Sequence, residues 1–165
     1  MQNSGQTCSA GSRLLVQRGV YEAVLQRVGE AFSALRAGPP AMDLDLGPLI
    51  RQSQLERVRG FLDEARAAGI ATVAQGSVAD EAHADGFYAA PTLLRDVPVD
   101  HRLAQEEVFG PVLAAMPFDD EDHAVQLANA TAFGLVAGVW TRDGARQFRM
   151  ARRVKAGQVF INNYG

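Results

Sequence analysis

Between residues 111 and 161 two kinds of apolar pattern take turns: 111–118, 136–140 and 159–161 read as strands, while 119–131 and 143–155 read as helices. A strand–helix–strand passage with a crossover of about a dozen residues returns the chain to the same end of a sheet, so it joins parallel neighbours. Parallel strands need apolar cover on both faces. The economical architecture is therefore α/β: an open, mainly parallel twisted sheet with helices on both faces.

The preceding residues extend this pattern. Leu14, Leu15 and Val16 form a short apolar run that suits a buried strand. Val20, Val24, Val28, Phe32 and Leu35 then recur at spacings of three and four, which gives a helix of about 16 residues ending at Ala37-Gly38-Pro39-Pro40. A second stripe, Leu55, Val58, Phe61, Leu62 and Ala65, gives a helix from near Ser53 to a Gly69 cap, followed by a strand at 70–74. Residues 75–86 are polar and weakly patterned, a surface loop or hairpin, and 92–94 reads as another strand. No repeat or linker divides the 165 residues, so a single domain is expected.

Composition excludes several partners. A formal charge of -3 leaves no footprint for nucleic acid or an anionic membrane. The lone cysteine, Cys8, rules out an intramolecular disulfide and a cysteine-pair zinc site. No run approaches the roughly 20 apolar residues of a membrane span, and the polar opening Met1-Gln2-Asn3-Ser4-Gly5 lacks the features of a signal peptide. A soluble, cytoplasmic protein is expected. Both ends read as truncated: the chain stops just after a strand, and it begins seven residues before its one plausible nucleophile.

That nucleophile is Cys8, in Asn3-Ser4-Gly5-Gln6-Thr7-Cys8-Ser9-Ala10-Gly11, where no apolar stripe claims it. The plain reading is a buried, inert cysteine. The sharper reading is a reactive one: if 7–12 is the first turn of a helix, the helix dipole favours the thiolate and the Cys8 N–H is free for an oxyanion. A cysteine hydrolase would add an imidazole. His83, His101 and His123 all read as solvated surface residues without metal-ligand spacing, so no metal is expected.

The other unusual segment is Ala104-Gln105-Glu106-Glu107-Val108-Phe109-Gly110-Pro111-Val112. In an extended stretch Glu107 and Phe109 share one face, Glu106 and Val108 the other. A carboxylate can accept from a ribose diol and a ring can lie against a flat heterocycle; the plain reading is a solvated glutamate pair beside a core Phe.

These two segments, with Gly47-Pro48-Leu49-Ile50, Phe133-Gly134-Leu135, Ala137-Gly138-Val139-Trp140-Thr141 and Ala156-Gly157-Gln158-Val159-Phe160-Ile161-Asn162, resemble the catalytic domain of the NAD(P)-dependent aldehyde dehydrogenase superfamily, in its order and spacing. The resemblance covers essentially the whole chain. It implies that Cys8 attacks an aldehyde carbonyl, giving a thiohemiacetal and then a thioester that water hydrolyses, with the Cys8 N–H as one oxyanion donor. It implies that Glu107 holds the nicotinamide ribose of NAD or NADP and that Phe109 lies beside the nicotinamide. Gln54 and Arg57 match positions near the same ribose, and Thr7 and Ser9 match the substrate pocket. The family's dinucleotide-binding domain, general-base glutamate and oxyanion asparagine all precede the cysteine segment, and its full-length members form homodimers or homotetramers. The expectation is a catalytic-domain portion of an aldehyde dehydrogenase whose isolated 165 residues show negligible aldehyde oxidation. The alternatives are a cysteine-dependent ester hydrolase and a non-catalytic fragment.

Overall fold

The computed structural model describes residues 2–82 and 86–164; His83 lies outside them. The elements are β1 (Arg13–Gln17), α1 (Tyr21–Ala34), β2 (Arg36–Ala37), α2 (Gln52–Ala67), β3 (Thr72–Gln75), β4 (Ser77–Val78), β5 (Thr92–Leu94), α3 (Arg102–Gln105), β6 (Val112–Phe118), α4 (Glu121–Ala128), β7 (Val136–Val139), α5 (Gly144–Arg153) and β8 (Gln158–Ile161). The main sheet has the order β1-β6-β5-β3; β1 and β5 run parallel to β6, and β3 closes one edge antiparallel to β5.

The α/β class and the mainly parallel pairing are as expected, but the strands divide among more than one sheet. β7 and β8 form a parallel pair of their own, joined through α5, and β2 pairs in parallel with β4. Both hydrogen-bonding edges of β6 are taken, by β1 and β5, so the chain leaving α4 finds no place beside it. The β2–β4 pair also puts two residues of the expected loop at 75–86 into a strand.

Alternation along β6 distributes the core. Val112, Ala114 and Met116 pack toward α2 with Leu55, Val58, Phe61 and Ala65, whereas Leu113 and Ala115 face α1 with Tyr21, Leu25 and Phe32. Both faces of the main sheet are thereby covered. α2 stops in a Schellman arrangement: Gly69, at φ 74°, donates to Arg66 O at 3.1 Å, and Ile70 donates to Ala65 O at 2.9 Å. Ile70 then packs on the α2 core.

The β7–β8 pair is tied to the main body through α4. Asp120 caps α4 by accepting from His123 N, and Asn129, just past its end, donates to Arg153 O at 2.9 Å and accepts from Lys155 N at 2.8 Å. Among the described residues no helix is long and apolar enough to cross a membrane.

Candidate active site

The site is assembled from three chain segments that the sequence keeps far apart. The first opens with Asn3, Ser4 and Gly5 at φ 48°, 53° and 75°. An L-residue in the left-handed region costs roughly 1–2 kcal/mol, so the two non-glycine positions need compensation. Hydrogen bonds supply it. Gln6 N donates to Asn3 O at 2.9 Å, and Asn3 Nδ2 donates to Gln6 O at 3.0 Å.

The same residues bind the second segment, Gly47-Pro48-Leu49-Ile50. The buried Ser4 hydroxyl donates to Gly47 O at 2.8 Å. Gln6 Nε2 donates to Pro48 O at 3.3 Å, and Gln6 Oε1 accepts from Ile50 N at 2.8 Å. This stitching places the start of α2 directly beside the cysteine segment.

The third segment, 106–111, meets the first at a glycine–glycine contact. A β-carbon built on Gly5 would lie 2.2 Å from Gly110 O, and one built on Gly110 would lie 2.4 Å from Val58 Cγ2 on α2. Only hydrogen fits at either point. The backbone around Cys8 therefore rests directly on the backbone that carries Glu107 and Phe109.

Cys8 is exposed, so the buried, inert reading does not hold. Residues 7–12 do not begin a helix, however. They form one turn, closed by Ala10 N donating to Thr7 O at 2.9 Å, and the chain then extends toward β1. The dipole that was to favour the thiolate is thus missing, because the turn is followed at once by strand. Among the described residues the Cys8 N–H has no acceptor, which leaves it available to an oxygen in the cleft.

The two glutamates diverge as alternation requires. Glu106 pairs with Arg102 at 3.0 Å and Arg57 at 3.7 Å, while Glu107 faces the cleft, its carboxylate without a hydrogen bond among the described residues. Alternation then breaks at Phe109, whose φ of 56° turns the chain out of its extended path. Gln54 Nε2 donates to Val108 O at 3.1 Å and Phe109 O at 2.7 Å, and Arg57 Nη2 donates to Glu107 O at 2.6 Å. Neither side chain lines the cleft.

The cleft has a volume of about 400 Å³. Thr7, Ser9 and Ser12 form one wall and Glu107, Phe109 and Gly110 another; Cys8, between Thr7 and Ser9 in the chain, is exposed and is not itself among the lining residues. Val136, Gln158, Phe160 and Tyr164, from the β7–β8 unit and the residues after it, close the third side. These four were not singled out as site residues in sequence, because the signal for them is tertiary: β7–β8 must first be placed against the turn at Cys8. The volume, the carboxylate and the ring suit a nicotinamide riboside.

No described histidine lines this cleft. His101 Nδ1 accepts from Leu103 N at the start of α3, and His123 sits beside Asp119 at 3.3 Å. Among the described residues no cluster of side chains has the makings of a metal site.

Residues 1–165 match the model of the aldehyde dehydrogenase family. A betaine aldehyde dehydrogenase of Cereibacter sphaeroides is 43% identical over 163 residues, 98% of this chain and 33% of that protein. One from Rhizobium leguminosarum bv. trifolii is 37% identical over 98% of this chain and 34% of its own length. The chain thus spans about a third of the curated relatives it matches. Among solved structures, a Burkholderia cenocepacia protein assigned to the aldehyde dehydrogenases superposes with a TM-score of 0.97 at 64% identity, over 98% of this chain and 34% of that one. The NAD+ complex of a Bacillus cereus aldehyde dehydrogenase superposes with a TM-score of 0.92 at 35% identity, over 100% of this chain and 33% of that one. The chain belongs to the aldehyde dehydrogenase family.

Proposed function

We propose that this chain is the cysteine-bearing catalytic portion of an enzyme that oxidises a small-molecule aldehyde to a carboxylic acid with NAD or NADP. The observation that carries this reading is the convergence of Thr7 and Ser9, the two chain neighbours of the exposed Cys8, with Glu107 and Phe109 on one cleft. Cys8 Sγ attacks the carbonyl carbon; the S–C bond forms as the carbonyl π pair moves to oxygen, where the Cys8 N–H receives it. When bound, the coenzyme supplies the acceptor for the hydride that must leave this carbon. Glu107 would accept from the ribose hydroxyls and Phe109 would pack against the nicotinamide, so that the two residues would orient the coenzyme toward the reacting carbon. Attack by water on the resulting thioester breaks the C–S bond, releases the acid and returns the thiol.

Thr7 and Ser9, both small, leave room for the aldehyde beside the sulfur. The reading includes a cytoplasmic setting, in which a lone thiol stays reduced, and assembly of the full-length protein as a homodimer or homotetramer. Exposed Phe133, Leu135 and Phe148 supply apolar surface for such burial.

The test is absorbance at 340 nm with the full-length protein, an aliphatic aldehyde and NAD+ or NADP+. Cys8→Ala is expected to lower the rate by roughly 10³-fold or more. Glu107→Gln is expected to raise the coenzyme KM. Undiminished oxidation by the Cys8→Ala protein overturns the assignment.

A further inference from the structure

We propose that Arg13 and Asn129 are positioning residues: through the C-terminal turn of α4 they brace the first wall of the cleft against the third, and so set the width of the space that receives the aldehyde. The inference rests on the reading of that cleft as the place of aldehyde oxidation, and it concerns two residues that line no part of it. Arg13 directly follows Ser12 of the first wall. Asn129 holds the main chain at Lys155, three residues ahead of Gln158 in the third.

The brace can be followed atom by atom. The Arg13 main chain belongs to the main sheet: β1 places it opposite Ala114 on β6, and Ala114 N donates to Ser12 O at 3.0 Å. Its guanidinium forks across the end of α4, with Nη1 donating to Leu127 O and Nη2 to Ala128 O, both at 2.9 Å. These are among the last carbonyls of the helix, where the dipole favours a cation. Among the described residues Arg13 pairs with no carboxylate, so the helix end alone engages this half-buried charge. Burial holds its pKa below the ordinary arginine value, as expected of a cation drawn partly out of water.

The next residue carries the connection onward. Asn129 Nδ2 donates to Arg153 O at 2.9 Å, and its Oδ1 accepts from Lys155 N at 2.8 Å. Both partners lie in the passage from α5 to β8, so one amide sets where that strand begins. Gly157 N donates to Gly134 O at 2.8 Å and Gln158 N to Leu135 O at 3.0 Å, which extends the constraint to β7 and Val136. The amide supplies a donor and an acceptor at once, which neither a leucine nor an ionised aspartate can do. Losing Arg13 or Asn129 strips main-chain groups of these partners and lets the third wall move relative to Ser12. The ion pairs of Glu121 with Arg146 and Arg149 persist in either variant, so the β7–β8 unit shifts and does not come free.

The experiment is steady-state kinetics of the full-length protein at saturating coenzyme, with acetaldehyde and with hexanal, alongside fluorescence titration of the reduced coenzyme and the thermal midpoint. Asn129→Leu and Arg13→Met remove the polar contacts at similar volume. Asn129→Asp and Arg13→Lys keep part of them, and they carry the same test if the first two do not fold. Asn129→Leu and Arg13→Met are each expected to raise the acetaldehyde KM about tenfold with kcat nearly unchanged, since a wider cleft loses uniform contact with a small aldehyde. The ratio of kcat/KM for hexanal to that for acetaldehyde is expected to rise, and coenzyme affinity to stay as in the parent. Asn129→Asp and Arg13→Lys are expected to fall between the parent and these variants. Because both residues act through one helix end, the double variant is expected to lose no more than the worse single one. Fully additive losses overturn the shared brace. A lower thermal midpoint with unmoved aldehyde KM values and an unmoved ratio assigns the residues to stability alone and overturns it too, while inactivity of Cys8→Ala in the same assay leaves the reading of the cleft standing. A parent that oxidises neither aldehyde, or a Cys8→Ala protein that oxidises both, overturns the underlying reading as well.

Discussion

At Gly5 the two halves of the site touch with no side chain between them, so a single hydrogen atom sets how close Cys8 stands to Glu107 and Phe109. Gly5→Ala brings two penalties: a β-carbon at φ 75°, and a 2.2 Å approach to Gly110 O, a backbone atom rather than the end of a flexible side chain. The expected loss is roughly 2–4 kcal/mol, read as a lower denaturant midpoint at unchanged slope. Gly69→Ala is the natural comparison. Gly69 has a similar φ of 74° but open space around it, so about 1 kcal/mol is expected there. Equal losses at the two positions would show that backbone conformation alone, and not the glycine–glycine contact, governs Gly5.

The elements that frame the cleft are held by charge as well as by packing. Glu121, in the first turn of α4, accepts from Arg149 at 2.7 and 3.0 Å and from Arg146 at 2.7 Å, both on α5. Hydrogen bonds first from Arg149 and then from Arg146 hold its carboxyl at about 2, below the ordinary 4.5. A depressed carboxyl stabilises the fold fully above its unfolded value and ceases to do so as pH falls through its folded value, so the window here runs from 4.5 down to about 2. The pair is solvent-facing, and salt screens it. Between about pH 5 and about pH 3, the thermal midpoint followed through Trp140 is expected to fall less in Glu121→Gln than in the parent, with the difference shrinking in high salt. Identical pH profiles would separate this contact from the anchoring of α5. The elements themselves were largely legible: the stripes of α1 and α2 are long and amphipathic, and an uninterrupted apolar run marks β6. The turn at Cys8 was not, because a short polar run carries no periodicity, and the left-handed Phe109 was not, because the donor its carbonyl meets, Gln54, comes from another segment.

Across the whole molecule, the cleft lies where the main sheet body meets the β7–β8 unit, and neither part alone encloses it. The family resemblance made Cys8, Glu107 and Phe109 expected partners, and of the three the cleft is lined by Glu107 and Phe109, with Cys8 exposed beside Thr7 and Ser9. The third wall, with Phe160 and Tyr164, was hidden because strand patterns reveal that β7 and β8 exist but not that they leave the main sheet. The most direct measurement is mass spectrometry of the full-length protein, acid-quenched during turnover with an aldehyde and its coenzyme. An acyl group on the peptide containing Cys8, absent when coenzyme is withheld, is the expected result. Aldehyde oxidation with the acyl group on some other residue, or continuing in Cys8→Ala, would contradict the placing of the reaction at this cleft.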